Sequence, residues 1–86
     1  MEMYYVYLLQ SEIDQSCYIG YTNSLDKRIT EHNEGKSYYT KRKIPWKLIY
    51  YEASLDKFDA IAREKYLKTG IGRRYLKNRL KNQLNF

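Results

Sequence analysis

The sequence has very little of the two residue types that build disulfide scaffolds and zinc-binding domains. Its 86 residues include one cysteine, Cys17, and one histidine. A single thiol can form neither an internal disulfide nor half of a CxxC zinc pair, which excludes a disulfide-stapled secreted domain and a cysteine-rich zinc site. We therefore expect a protein of the reducing cytoplasm, in which Cys17 is a small buried side chain.

Long apolar runs are also absent from the sequence. No stretch approaches the roughly 20 apolar residues that cross a bilayer. The N-terminal segment carries Glu2 where a secretory signal would carry positive charge, and its apolar run ends after a few residues. The sequence therefore predicts a soluble protein that has no membrane partner.

Acidic residues are the minority among the charged side chains. Ten Asp and Glu stand against sixteen Lys and Arg, which gives a formal net charge of +6. The excess is concentrated in Lys36–Lys47 and Lys65–Lys81, so two basic surfaces are expected. This balance is typical of proteins that bind a polyanion, and small ribosome-bound proteins share it. The length leaves room for one domain, residues 1–86, without a second domain to recognise a sequence.

Tyrosine, in contrast, is abundant, with eleven residues. Tyrosine favours strands and half-buried positions, where the ring packs and the hydroxyl finds a partner. A structural role is therefore the default interpretation for most of these residues.

The hydrophobic pattern predicts two strands, a helix, a third strand and two further helices, in the order β-β-α-β-α-α. Short segments rich in aromatic and β-branched residues favour strands, whereas apolar residues at intervals of three and four favour helices. The sum is an α+β domain with a small, mainly antiparallel, three-stranded sheet flanked by helices. The predicted strands are residues 3–10, 17–22 and 46–53, and the predicted helices are residues 24–34, 56–68 and, with a basic surface, about 72–84.

The connections between these elements carry their own signals. The polar segment between the first two strands predicts a hairpin. Asn23 or Ser24 is the expected N-cap of the first helix and Gly35 its end, and Gly70 is the expected end of the second helix. Residues 36–43 lack a period and predict an exposed basic loop. The pattern leaves open whether the third strand is central or at an edge.

Charged residues on apolar stripes are the first local conflict in the sequence. Leu25, Arg28, Ile29 and His32 share one face of the first helix, so an arginine and a histidine lie on the stripe directed toward the core. Glu64 lies at the margin of the apolar face of the second helix. Such conflicts between burial and charge cluster at functional sites.

Five polar residues match in type what hydrolysis of a phosphodiester requires. The reaction needs a group that orients or deprotonates water, a cation for the charge on the phosphoryl oxygens, and a metal held by carboxylate. The candidates are Tyr7 and Tyr18 on the first two strands, Arg28 and His32 on the first helix, and Glu64 on the second.

The order and spacing of these residues resemble those of the GIY-YIG nuclease family. YVY at residues 5–7 is followed after ten residues by YIG at residues 18–20, then by Arg28, by His32, and by AIAREKYLK with Glu64. The family includes homing and restriction endonucleases, small stand-alone domains, and the incision subunit of bacterial excision repair, whose N-terminal nuclease domain the chain resembles.

The resemblance extends from Tyr4 to about Lys68 and is closest to the stand-alone members. The segment HNEGKSYYTKRKIPWKLIYYE is similar to their shared HN-x-G, YT and P-x-L-x-Y-x-E pattern. Two positions depart from the family: Tyr5 replaces the first glycine of its name, and Tyr21 replaces a lysine of the repair enzyme.

The resemblance implies a divalent-metal-dependent endonuclease with Mg²⁺ or Mn²⁺ as cofactor. By that resemblance, Tyr7 and Tyr18 flank the attacking water, Arg28 stabilises the phosphoryl charge, His32 assists proton transfer and Glu64 holds the metal. Nucleic acid is the implied partner, with DNA favoured over RNA, and DNA repair is the implied process. Which of Tyr7, Tyr18 and His32 is the general base stays open, as do the substrate structure and the oligomeric state.

Supporting and binding residues are expected around these five. Gly20 either ends a strand or lets a phosphate approach the backbone, and Asn33 either ends the first helix or supports the site. Contacts to phosphates are expected from two groups of basic residues, although such residues often form only a solvated face. The groups are Lys41, Arg42 and Lys43 in the loop and Arg73, Arg74, Lys77 and Arg79 on the last helix.

Each catalytic candidate also has an ordinary structural interpretation. Tyrosines pack in strands, an arginine on an apolar stripe can extend into water, and a lone histidine is often a satisfied half-buried residue. Glu64 can pair with Lys68 one turn later. The alternative functions are a nucleic-acid-binding module without cleavage and an interaction subunit with a basic docking face.

Overall fold

The structure, a computed structural model, describes residues 2–84. Its elements follow the predicted order, and the α+β fold is confirmed. The strands are β1 (Tyr4–Ser11), β2 (Cys17–Thr22) and β3 (Trp46–Ser54), and the helices are α1 (Leu25–Asn33), α2 (Lys57–Leu67), α3 (Gly70–Arg79) and α4 (Lys81–Leu84). No helix within residues 2–84 is long and apolar enough to cross a membrane.

The sheet has the order β2-β1-β3, and both pairings are antiparallel. The third strand, whose place the sequence left open, is therefore an edge strand, and β1 is central. Six consecutive residues of β1, from Val6 to Ser11, are buried because helices cover both faces of the sheet. This explains why β1 reads as a continuous apolar run rather than an alternating one.

Alternation along the strands divides the core into two clusters. Residues of opposite parity on β1 point to opposite faces of the sheet. The face under α2 and α3 buries Val6, Leu8, Ile19, Ala60, Leu67 and Leu76. The face under α1 buries Tyr7, Leu9 and Trp46, with Tyr18, Leu25 and Ile29 packed against them.

The C-terminal helices differ from their prediction at both ends. Gly70, expected to end α2, is the first residue of α3, because the Thr69 hydroxyl caps that helix by accepting a hydrogen bond from the Gly72 N–H at 3.0 Å. Gly72 permits the tight turn between helices, since a methyl group there would overlap the Tyr66 carbonyl and the Leu67 Cα. The helix expected to run to residue 84 is interrupted at Leu80, where α3 gives way to α4.

Two smaller expectations also change. The basic loop contains a 3₁₀ turn at Lys41–Lys43. Cys17, expected to be buried, is half-buried at the margin of the cluster under α3, where burial raises the pKa of its thiol.

Candidate active site

Three buried polar side chains form a continuous hydrogen-bonded chain under α1. The Tyr7 hydroxyl lies 2.8 Å from His32 Nε2, and His32 Nδ1 lies 2.7 Å from the Thr40 hydroxyl oxygen. The exposed fractions are 1% for Tyr7 and 0% for both His32 and Thr40. The backbone carbonyl of Thr40 in turn accepts a hydrogen bond from Trp46 Nε1 at 2.8 Å. The imidazole is therefore held at both nitrogens and is shielded from bulk solvent.

Gly20 creates the space for the Tyr7 ring. The two residues are directly paired across β1 and β2. A methyl group on Gly20 would overlap the hydroxyl and the ring of Tyr7. The sequence suggested two other roles for Gly20, the end of a strand or the approach of a phosphate. The structure shows a third: a side chain at this position would displace Tyr7 from His32.

Asn33 fixes α1 to the first residue of β3. Its amide Nδ2 donates to the Trp46 carbonyl at 3.0 Å, and its Oδ1 accepts from the Trp46 N–H at 2.7 Å. Asn33 directly follows His32, so these two hydrogen bonds hold the end of the helix that carries the imidazole against β3. Gly35, with a φ of 80°, then ends α1 as predicted.

Tyr18 completes an aromatic cluster around the imidazole. Its ring centroid lies 5.1 Å from that of His32 in an edge-on arrangement, and 6.4 Å from those of Tyr7 and Trp46. Tyr7 is buried, whereas Tyr18 is half-buried. Tyr18 is therefore the outer of the two strand tyrosines.

Arg28 lies one turn before His32 on the same face of α1, at the edge of this cluster. Its side chain is 32% exposed, and its Nη1 lies 3.2 Å from Glu31 Oε1. Its charge acts on both Tyr7 and His32. The guanidinium thus lies between the buried residues Tyr7 and His32 and the solvent, as the position of Arg28 on the apolar face of α1 predicts.

Burial keeps both partners of the central hydrogen bond neutral. Burial raises the pKa of Tyr7 to about 12, an effect that the Arg28 guanidinium opposes and that Tyr18 and Glu64 reinforce. Burial lowers the pKa of His32 to about 4, with a further lowering by Arg28 that Glu31 opposes. At pH 7 the site therefore holds a phenol that is hydrogen-bonded to a neutral imidazole.

Glu64 is the carboxylate within electrostatic reach of Tyr7, since its charge raises the pKa of that residue. Its side chain is 21% exposed, and its Oε2 lies 3.1 Å from Lys68 Nζ, so the ion pair that the sequence offered as the alternative to a metal-binding role is present. Within residues 2–84 no three His, Cys, Asp or Glu side chains cluster as a metal site. A single carboxylate fits a cation such as Mg²⁺, which keeps most of its water and binds substrate phosphate.

The two basic groups lie on opposite sides of the sheet. Lys41–Lys43 directly follows Thr40 on the α1 side, and within it Lys43 pairs with Asp14 at 3.1 Å. On α3, which packs against the other face, Arg73 and Lys77 border a cavity of about 180 Å³ that the core residues Leu8 and Leu76 also line.

Sequence reasoning missed Thr40 as a partner of His32. Thr40 lies in a segment without a period, so burial could not be inferred for it. The signal that was present is the YT pair within the stand-alone pattern, to which no role was attached.

Comparison with known proteins decides the family. Residues 3–81 match the GIY-YIG catalytic domain. The chain belongs to the GIY-YIG family. This GIY-YIG domain is 46% identical over 67 residues to a UPF0213 protein of Clostridium perfringens, a match that covers 77% of this chain and 71% of the relative. It is 40% identical to the UPF0213 protein YsiG of Lactococcus lactis subsp. lactis, with 98% and 81% covered.

A solved structure supports the same assignment. The solution NMR structure of a UPF0213 protein from Bacillus halodurans is similar to this GIY-YIG domain with a TM-score of 0.55 and 33% identity. The match covers 88% of this chain and 83% of that one. The predicted family and its three-stranded α+β fold are thereby confirmed.

Proposed function

We propose that this protein is a divalent-metal-dependent endonuclease that hydrolyses phosphodiester bonds in DNA or structured nucleic acid. The observation that carries the proposal is the buried chain Tyr7–His32–Thr40 with Arg28 at its edge. A core that only had to be stable would place apolar groups there, because buried polar groups gain little net free energy even when they are satisfied. The arrangement instead suits the transfer of a proton beside a cation.

Tyr7 transfers a proton rather than acting as a preformed phenolate. With a pKa of about 12, only about one molecule in 100,000 is ionised at pH 7. When the Tyr7 O–H donates to His32 Nε2 and the His32 Nδ1–H donates to Thr40, the Tyr7 oxygen can accept a proton from water while its own proton passes to Nε2. The hydroxide attacks phosphorus, the bond to the leaving oxygen breaks, and the leaving alkoxide takes a proton from solvent. The proton taken from the attacking water rests on the imidazolium until it is released to solvent.

Bound phosphate makes His32 a better proton acceptor. Arg28 lowers the pKa of His32 in the free protein. A phosphodiester paired with the guanidinium offsets that charge, so the basicity of the imidazole rises when substrate is in place. Arg28 therefore contributes twice, through the phosphoryl oxygens and through the proton acceptor.

Glu64 is the residue proposed to hold Mg²⁺ or Mn²⁺. The cation supplies positive charge for the phosphoryl oxygens when it is bound. Because Glu64 is paired with Lys68, binding must compete with that ion pair, and affinity for metal without substrate is expected to be weak. Tyr18, on the outer side of His32, is proposed to position the attacking water.

The direct test is incubation of the purified protein with labelled duplex, flap, branched and single-stranded DNA and RNA, with Mg²⁺, with Mn²⁺ and with a chelator. Cleavage is expected with metal only, and it should be lost in Tyr7→Phe and Glu64→Gln proteins that still bind the substrate. The variants, purified identically, control for contaminating nucleases. Binding without cleavage of any substrate by the parent protein would reject the endonuclease in favour of the binding module.

A further inference from the structure

Two adjacent tyrosines project from the surface beside the buried, hydrogen-bonded residues Tyr7, His32 and Thr40. Tyr38 is 73% and Tyr39 82% exposed. Their ring centroids are 5.5 Å apart at an angle of 87°. Exposing two large rings side by side forgoes hydrophobic stabilisation, so a ligand is a better explanation than packing.

The backbone that carries these rings is anchored on both sides. Ser37 and Thr40, which flank the pair, are buried. The carbonyl of Ser37 accepts hydrogen bonds from the N–H groups of Thr40 at 3.2 Å and Lys41 at 3.1 Å, so the segment forms a closed turn. The rings are therefore presented on a fixed backbone.

The turn is attached directly to the candidate active site. Tyr39 precedes Thr40, the residue whose hydroxyl contacts His32 Nδ1 at 2.7 Å. Their Cα atoms are thus about 3.8 Å apart. A nucleic-acid strand bound at Arg28, at the edge of the site, would bring its neighbouring nucleotides within reach of the rings.

Basic side chains surround the rings. Lys41 Nζ lies 5.0 Å from the centroid of Tyr38, and Arg42 is exposed two residues beyond Thr40. Lys36 and Lys43, on either side, pair with Glu34 and Asp14. Aromatic rings interleaved with cations are the surface on which single-stranded nucleic acid stacks its bases, and a protein partner would not require that excess of positive charge.

We propose that Tyr38 and Tyr39 form a stacking platform for unpaired bases a few nucleotides from the scissile phosphate. This inference rests on the proposed function and specifies its substrate class as nucleic acid with unpaired nucleotides next to the cleavage position. In a fully paired duplex the faces of the bases are covered by their neighbours. Such a duplex can use the cations around the platform but not its rings.

The test measures binding without cleavage, in Glu64→Gln protein with chelator. One probe is a duplex with an unpaired stretch that carries the fluorescent adenine analogue 2-aminopurine, and the other is a fully paired duplex of equal length. The double change Tyr38→Ala with Tyr39→Ala is expected to weaken binding of the first probe by at least about fivefold and to abolish the fluorescence quenching that stacking causes. Binding of the paired duplex should change by less than about twofold.

Two matched controls accompany these variants. Tyr38→Phe with Tyr39→Phe keeps both rings and should preserve affinity and quenching. Phe58→Ala removes a ring that is 75% exposed on α2, away from the turn, and should have no effect on either probe.

The outcomes separate this inference from the proposed function. Equal loss of both probes in the Ala variant overturns the platform, because the rings would then contact nucleic acid whether or not its bases are paired. No loss of either probe also overturns it and leaves a protein partner as the explanation for the rings. Loss confined to the unpaired probe supports the platform even if the parent protein cleaves nothing. Cleavage by the parent together with unchanged discrimination in the Ala variant rejects the platform and leaves the endonuclease standing.

Discussion

Tyr7 reaches His32 because the residue opposite it on β2 has no side chain. A methyl group on Gly20 overlaps the Tyr7 ring, and the ring cannot shift far within a buried cluster. Gly70, in contrast, lies at the start of α3, where a methyl group would meet no atom within 4 Å. The two glycines therefore provide a matched pair for a test of geometry.

We expect Gly20→Ala to lower the free energy of unfolding by about 1–3 kcal/mol, because overpacking forces the ring off its position. Nuclease activity should fall with the displaced hydroxyl. Urea unfolding and cleavage assays measure the two effects, with Gly70→Ala, expected to be neutral, as the control. Similar behaviour of the two variants would show that Gly20 does not position Tyr7.

His32 makes stability depend on pH in a defined window. Its pKa in the folded protein is about 4, below its ordinary value of 6.5, so between these values the unfolded chain binds a proton that the native state does not. Stability should be level above pH 6.5, fall by up to about 3 kcal/mol as the pH drops from 6.5 to 4, and lose nothing further from this group below pH 4. Urea unfolding across this range measures the effect.

A titration of histidine between pH 6.5 and 4 can be assigned to His32, because His32 is the single histidine of the chain. His32→Gln should flatten the curve between pH 6.5 and 4.5. An NMR titration of the imidazole in the unmodified protein gives an independent value, and titration near pH 6.5 would contradict the buried neutral histidine.

Arg28 distinguishes an enzyme from a binding module. Arg28→Lys keeps the charge but loses the planar fork that matches a phosphoryl group. If the guanidinium stabilises the transition state, the single-turnover cleavage rate at saturating protein should fall by about ten- to a thousandfold with little change in affinity. An unchanged single-turnover rate in both Arg28→Lys and Arg28→Ala would defeat the catalytic role.

At the scale of the elements, α1 is the part of the site that the sequence predicted best. Arg28 and His32 stand out because a helical period of 3.6 places them on the stripe of Leu25 and Ile29, and the structure shows both beside Tyr7. Periodicity encodes such placement within one element. It carries no information on contacts between a helix and an irregular segment.

Thr40 and Gly70 show where that information ends. Thr40 is buried by the turn of residues 37–40, a tertiary contact eight residues from its partner His32. Glycine is common at the end of a helix, which is why the sequence predicts that α2 ends at Gly70. The cap supplied by Thr69 and the close approach of the backbone at Gly72 instead make Gly70 the first residue of α3. In both cases the deciding interaction lies outside the local pattern.

Thr40 gives a test at this scale. Thr40→Val keeps the shape but removes the hydroxyl, which leaves the buried His32 Nδ1 without its partner. We expect a loss of about 1–3 kcal/mol in the free energy of unfolding and a lower cleavage rate, whereas Thr40→Ser should retain both. Equal activity of the Val and Ser variants would show that this hydrogen bond does not orient the imidazole.

For the whole molecule, the basic groups on opposite faces limit which substrates can contact both. The sheet lies between Lys41–Lys43, on the α1 side, and the basic residues of α3, which packs against the other face. A short linear duplex can lie along one face of the domain, whereas the arms of a branched molecule can contact the basic residues on both faces. Under the proposed function, a branched substrate is therefore expected to contact more of these basic residues than a short linear duplex does.

The salt dependence of binding tests this arrangement. Each phosphate contact contributes about 0.9 to the slope of log affinity against log salt for duplex DNA. Lys41→Ala with Arg42→Ala should lower the magnitude of the slope by up to about 2 on a short duplex, whereas Arg73→Ala with Arg74→Ala should leave it unchanged there. On a branched substrate both double variants should flatten the slope, because both faces then contact phosphates. Equal effects of the two variants on the short duplex would contradict the separation of the faces, and a slope near zero in the parent protein would remove nucleic acid as the ligand.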